Sequence, residues 1–272
     1  MLSISIKEYF MTQIVLKLVS SFFIFQGCFF CNLYSAPPRE IPSDLFNEYT
    51  LNCAIPVIDY YMDGTYSSTE PLMYSRELID SYIIKVLQGQ QNYYGETDSW
   101  LYAAIREHSI EGKTVGIIGS TTPWYEAIVL AFGGIPFTIE YNRIVSDDPR
   151  LEILTFGEYV KQPIQFDVIL SISSIEHDGL GRYGDPLNPN GDFDFMKLAK
   201  KSFLKDEGFM LIAFPVGKDA VAWNAHRIYG PIRLPMLFEG WKVGKSYGFS
   251  ESLFDAPLGY CIQPVFYLEK AL

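Results

Sequence analysis

The 272-residue chain predicts an α/β fold built on a mainly parallel sheet. Three observations carry this expectation. From Thr114 onward, short β-branched runs alternate with segments of helical periodicity. The run Phe166–Ile172 is nearly continuous in apolar residues, as a strand covered on both faces requires. That run then opens into a loop dense in Glu176, His177, Asp178, Arg182 and Asp185. Polar chemistry at the end of a buried strand marks the carboxyl edge of such a sheet, where ligands bind.

Taken in order, the chain begins with an apolar stretch, Ile14–Tyr34, with Lys7 and Lys17 ahead of its most apolar part, Leu18–Cys31. Its length lies between the roughly 7–15 apolar residues of a signal peptide and the roughly 20 of a spanning helix. No A-x-A cleavage site follows it. Residues 1–36 therefore read as a signal peptide or an uncleaved signal-anchor. The lysines would keep the amino terminus cytoplasmic, so the domain is expected to be lumenal in the secretory pathway on a single-pass membrane anchor, or secreted. Residues 37–75 read as a linker and lead-in, and 76–272 as the α/β domain.

Within the domain, Leu78, Ile79, Tyr82, Ile83, Val86 and Leu87 follow helical spacing, and a second helix is expected over Asp98–His108 with Asp98 as its cap. Thr114–Gly119 reads as the first strand. Trp124–Phe132 is a helix stopped by Gly133 and Gly134. Pro136–Tyr141 is a strand carrying Glu140 near its end, Leu151–Phe156 a third and Phe166–Ile172 a fourth. A helix follows over Asp192–Phe203, then a turn at Asp206-Glu207-Gly208 and a fifth strand over Phe209–Val216. The stretch 227–241 reads as a helix, and Trp241–Phe249 and Val265–Leu268 as closing strands.

Composition narrows the function. An apolar fraction of 49% fills a sizeable core, and a net charge of −11 excludes a nucleic-acid surface, which needs clustered Lys and Arg. Cys28 and Cys31 lie inside the apolar run and have no polar setting for a metal or redox pair. Cys53 and Cys261 read as two buried free thiols, with a single bridge as the alternative. Glu176, His177, Asp178 and His226 are metal-capable types but lack ligand spacing such as H-x-x-H, so no metal site is expected. No G-x-S-x-G elbow is present.

The segments GIIGSTTPWYE (from Gly116), Glu140, FDVILSISSIEH (from Phe166) and FLKDEGFMLIAFP (from Phe203) together resemble the pattern of class I S-adenosylmethionine-dependent methyltransferases, over about Lys113 to Gly248. More closely, SSIEHDGLGRYGDPL and VGKDAVAWNAHRIYGPIRLP are similar to a nematode (Caenorhabditis) family known only as a domain of unknown function. The first resemblance implies a Rossmann-like sheet of the methyltransferase type. It implies that Gly119, Ser120 and Thr121 bind S-adenosylmethionine and that Glu140 takes its ribose hydroxyls. The chain departs from that pattern in having Gly119 nearly alone in its loop, and Asp206-Glu207-Gly208 before the fifth strand.

The candidate catalytic groups are His177, Glu176 and His226, since imidazole and carboxyl can exchange protons near neutrality. Arg182, Arg227 and Trp223 are candidates for holding a substrate, a small molecule or a secretory-pathway acceptor. Each has a structural counterpart reading, as a loop brace, an internal ion pair or core. The two segments should meet, with Glu176–Asp178 facing His226 and Arg227 at one concave site. The function read from these residues is that of an S-adenosylmethionine-binding, methyltransferase-like protein. The alternative is a non-catalytic lumenal or secreted binding or scaffold protein on the same fold.

Overall fold

The computed structural model describes residues 37–62 and 70–271. The apolar stretch read as a signal peptide or anchor, with Cys28 and Cys31, lies outside the described residues. Among the described residues no helix is long and apolar enough to cross a membrane.

Seven strands form the main sheet: β1 (Thr114–Ile118), β2 (Ile135–Glu140), β3 (Glu152–Thr155), β4 (Phe166–Ile172), β5 (Leu204–Ala213), β6 (Trp241–Tyr247) and β7 (Val265–Lys270). Their spatial order is β3-β2-β1-β4-β5-β7-β6. The first five are parallel to one another, while β7 runs antiparallel to both β5 and β6. The fold class is the expected one. Strand order reverses between β1 and β4, and that reversal is where an open α/β sheet leaves a crevice.

The strand β4 sits at the centre for a reason visible in its residues. Alternate side chains point to opposite faces. Val168 and Leu170 join one apolar cluster with Val115, Ile117 and Ile128, while Ile169 joins the other with Ile118, Met210 and Ile212. Every position of β4 except Asp167 is buried. Its packing on β1 is close enough that a Cβ at Gly116 would stand 2.5 Å from the Phe166 ring.

Three helices contribute to the first cluster: α1 (Arg76–Leu87), α2 (Glu96–Glu107) and α3 (Trp124–Ala131). In α1, Ser75 caps the start by accepting the Leu78 N–H. The helix α4 (Phe156–Lys161) opens with a capping box between Thr155 and Glu158. On the opposite face lie α5 (Gly191–Leu198) and α6 (Arg233–Leu237).

Several expected boundaries are corrected. Asp206-Glu207-Gly208 does not turn the chain, because β5 already begins at Leu204. The extra residues are absorbed as a register shift opposite Phe166 and Val168. The helix expected to run to Phe203 is α-helical only to Leu198 and closes in a π turn, Ala199–Phe203. Asp98 does not cap α2. It lies inside the first turn, where its carboxylate accepts the Asn92 N–H at 2.7 Å. The helix expected within 227–241 shrinks to α6, and His226–Ile228 instead pairs with Ala220–Ala222 as antiparallel strands. Cys53 is exposed rather than buried, Cys261 is half-buried, and both are free.

The stretch between residues 37 and 75 is packed on the domain. Tyr49 is fully buried, meets Trp223 edge-on at 5.1 Å and donates its hydroxyl to the Gly179 carbonyl. Val57–Ile58 pairs in parallel with Val221–Ala222.

One buried polar network ties the loop after β4 to the segment after β5. Arg233 donates to Asp192 at 2.7 and 3.0 Å, and Tyr229 donates to the same carboxylate at 2.9 Å. Burial alone would raise the Asp192 pKa, but the guanidinium groups of Arg227 and Arg233 reverse this and hold it below the usual carboxylate range. Removing one member of a buried charge network leaves the others uncompensated. Asp192→Ala is therefore expected to cost about 3–5 kcal/mol of stability. A urea titration checks this, and a loss below about 1 kcal/mol, the scale of an exposed pair, would sink the assignment.

Candidate functional site

A cavity of about 1610 Å³ opens at the carboxyl edge of the sheet. Its walls include Gly119–Thr122 after β1, Ile139–Arg143 at the end of β2 and Ile172–Ser174 at the end of β4, so it lies at the switch point.

The wall after β1 and β2 is built around Glu140. Gly119 takes a φ of +74° that lets the chain turn sharply, and donates its N–H to Ile139. The next amide, Ser120 N–H, points at Glu140 Oε2 at 2.9 Å, while Tyr141 and Asn142 donate to Oε1 at 2.8 and 3.3 Å. Burial raises the Glu140 pKa and these amides partly offset the rise. Gly119, Ser120, Thr121 and Glu140, expected to share a cleft, do line one cavity.

Beneath that loop sits a group the sequence reading did not single out. Glu126, an acid within the apolar helix α3, is fully buried. It accepts hydrogen bonds from Thr138 at 2.7 Å and Ser120 at 3.1 Å. Burial nevertheless pushes its carboxyl up to about 7.

The wall after β4 carries the acid and imidazole groups. Ser173 ends the strand with φ 51°, a conformation uncommon outside glycine. Its hydroxyl donates to Glu176 at 2.6 Å and receives the Gln263 side-chain amide at 3.1 Å. Glu176 is fully buried, and burial raises its carboxyl to about 7. His177 Nδ1 lies 2.5 Å from the Ala225 carbonyl, which can only accept, so Nδ1 bears the proton. Nε2 then carries the lone pair, and it lies 3.6 Å from Glu176 Oε1. Burial holds the His177 pKa down at about 3.

The two segments lie side by side behind one wall of the cavity. The rings of His177 and His226 stand 6.5 Å apart and perpendicular. His177, Asp178 and Arg182 line the cavity, whereas Glu176 and His226 stand outside its lining. Arg227 and Trp223 are corrections. Arg227 is completely buried, and its guanidinium donates to the carbonyls of Glu176, Asp178, Asn188 and Pro189 rather than facing a ligand. Trp223 is 3% exposed and donates to the Pro38 carbonyl. Their residue types suggested binding; their burial makes them the frame behind the site. Among the described residues no group of three or more His, Cys, Asp or Glu could hold a metal ion.

Two expectations follow. A Cβ at Gly119 would lie within contact of Ser174 Oγ and 2.8 Å from Ser174 Cβ. Gly119→Ala should cost at least about 1–2 kcal/mol from the left-handed backbone alone. Ser174→Gly in the same chain should recover the part due to the clash, and a double-mutant cycle showing no coupling would overturn that contact. The second concerns Glu126. Between 4.5, its ordinary value, and about 7, the folded chain keeps a proton that the unfolded chain has lost. Its contribution is complete below that window and is lost as pH rises through it. Relative to the parent, Glu126→Gln should therefore gain up to about 3 kcal/mol of stability between the low and high ends of the window. Denaturation at several pH values reads this, and a pH-independent difference would contradict it.

Residues 112–255 match the model of a family described as Caenorhabditis protein of unknown function, DUF268. No curated protein matches the chain. Solved structures similar to it include a TehB-like SAM-dependent methyltransferase from Corynebacterium glutamicum, at 15% identity over 70% of this chain and 95% of that one, with a TM-score of 0.41. Another is the 1,6-didemethyltoxoflavin-N1-methyltransferase of Burkholderia thailandensis with bound 1,6-didemethyltoxoflavin and S-adenosylhomocysteine, at 13% identity over 75% and 94%, TM-score 0.47. A third is the CcbJ methyltransferase of Streptomyces caelestis, at 10% identity over 66% and 94%, TM-score 0.44. With its family model spanning more than half of the sequence, including both walls of the cavity, the chain belongs to the Caenorhabditis family of unknown function DUF268.

Proposed function

We propose that the cleft between Gly119–Thr121 and Glu140 binds S-adenosylmethionine and that the chain is a methyltransferase-like protein. The observation that carries the reading is the Glu140 carboxylate, fixed by three backbone amides at the switch point, on the wall of a cavity with room for two ligands. The residues fit the group. Oε2 takes a single N–H and keeps capacity to accept from hydroxyls, as a ribose would present. Tyr141 and Phe156, stacked at 5.5 Å and both lining the cavity, offer aromatic surface beside it for a purine. When bound, the cofactor supplies an electrophilic methyl group. The chain's part is to align an acceptor with it and to keep water out. His177, with Nδ1 committed to Ala225, presents Nε2 as a hydrogen-bond acceptor for the N–H or O–H of that acceptor.

A second reading, a binding protein without turnover, is favoured by one observation: with its pKa at about 3, His177 is a weak base. The two readings separate on whether S-adenosylhomocysteine forms from S-adenosylmethionine when acceptors are supplied.

Ligand that binds only the folded state raises the melting temperature with concentration, so both S-adenosylmethionine and S-adenosylhomocysteine should do so. Glu140→Ala should weaken either by about 1.5–3 kcal/mol through loss of charged hydrogen bonds. Calorimetric titration measures this, and an unchanged Kd in Glu140→Ala would remove the assignment.

A further inference from the structure

The Ser120 hydroxyl has one hydrogen and two acceptors within reach. Thr122 presents its carbonyl at 3.0 Å and Glu126 its Oε2 at 3.1 Å. The two destinations differ in what they hold. The Thr122 carbonyl belongs to the loop after β1, which lines the cavity, and it also accepts the Trp124 N–H at the start of α3. Glu126 belongs to α3 itself, beneath that loop. Ser120 and Glu126 are buried, and so are their other partners, Tyr74 and Thr138. Hydrogen bonds among buried groups are costly to leave unmade.

The proton on Glu126 decides where the Ser120 hydrogen goes. Tyr74 donates its hydroxyl to Ser120 Oγ at 3.1 Å, and Thr138 donates to Glu126 Oε1 at 2.7 Å. With Glu126 protonated at Oε2, the carboxyl donates to Ser120, and Ser120 donates to Thr122. The Ser120 hydroxyl then uses its hydrogen and both lone pairs. With Glu126 ionised, the carboxylate can only accept. It takes the Ser120 hydrogen, and the Thr122 carbonyl loses its tie to Ser120. Ionisation also sets a negative charge near the Glu140 carboxylate, to which the Ser120 N–H donates. Both effects act against the arrangement of the loop. Burial raises the Glu126 carboxyl to about 7, so both forms are populated near neutrality. Among the described residues, the titratable groups facing Glu126 are Tyr74, Tyr125 and Glu140. Burial raises both phenols, so they stay neutral through this range. Ligand hydroxyls on Glu140 would favour its carboxylate, a response of opposite sign.

We infer that protonated Glu126 is a positioning residue for the cofactor loop, freeing the Ser120 hydroxyl to hold Thr122, so that cofactor binding takes up a proton on Glu126. The inference rests on the proposed cofactor site and names a regulation of that site. By linkage, a ligand that favours the protonated form binds more weakly as pH rises through the titration of the group. Glutamine at this position has the shape of the protonated acid. It accepts from Thr138 and donates to Ser120 at every pH.

The test is calorimetric titration of the full chain with S-adenosylhomocysteine, which lacks the sulfonium charge, between about pH 6 and about pH 8. The parent Kd should rise at least about threefold across that range, and titrations in buffers of different ionisation enthalpy should show net proton uptake near neutrality. Glu126→Gln should keep the low-pH Kd of the parent throughout, within about twofold. A parent Kd that does not change with pH, net proton release, or a Kd in Glu126→Gln that rises as steeply as the parent's would overturn the inference. Should Glu126→Gln fail to fold, proton uptake by the parent chain decides alone. Failure of the cofactor reading looks different: S-adenosylhomocysteine then binds the parent chain at no pH in the range.

Discussion

The Asp192 carboxylate, buried between Arg233, Tyr229 and Arg227, is the constraint on which the site depends. Isolated, any one of these charges would be expensive to remove from water. Together they fasten the loop after β4, the start of α5 and the segment between β5 and α6 to one another. Arg227 gathers the carbonyls of 176, 178, 188 and 189, and so closes the loop after β4 into a ring. Arg233 adds Pro189 and Asp192, while Asp219 accepts the amides of Gly230, Ile232 and Arg233 and fixes the start of α6. The cavity wall made by Asp178–Asn188 stands where it does because its backbone oxygens have partners in the core.

This arrangement reassigns chemistry that looks catalytic in the sequence. Arg227 and Trp223 sit close to His226 in the chain, in a segment rich in polar and aromatic types, and nothing local distinguishes a side chain aimed at a ligand from one aimed at a carbonyl. The difference is tertiary. The partners of Arg227 lie about forty to fifty positions earlier in the chain, so its burial could not be read from periodicity. Glu126 was hidden by the opposite effect. It stands in a helix whose other positions are apolar, WYEAIVLA, and an acid there is normally assigned to the solvent face. An acid in a helix buried nearly all round is the signal that could have found it.

What could be read was what depends on short-range pattern. The five parallel strands, their order of appearance and the acid near the end of β2 follow from β-branched runs separated by helical spacing. Boundaries failed where sheet contacts overrode local turn chemistry. Asp206-Glu207-Gly208 has turn composition, but pairing of β5 with β4 keeps it extended, with Gly208 close against the Asp167 carbonyl. Similarly, the first residues of the helix expected over 227–241 join a strand pairing with Ala220–Ala222, since a buried segment there satisfies its amides from the neighbouring strand.

The site itself combines fixed and unfilled polar groups. Glu140 and Asp185 receive three backbone amides each, and so their positions do not depend on any ligand. Glu126 and Glu176 carry carboxyls raised to about 7 by burial, one beneath the loop after β1 and the other behind His177. Near neutrality each is poised between its neutral and charged forms, and a bound cation nearby would favour ionisation. Ser173, held at φ 51° with its hydroxyl on Glu176, links that equilibrium to the end of β4. Strain of this kind persists only where surrounding contacts over-determine it, and here they are the Gln263 amide and the Ser173 amide bond to Ala213. The rigid frame around Asp192 thus holds the cavity wall in place, while Glu126 and Glu176 keep two buried carboxyls close behind it.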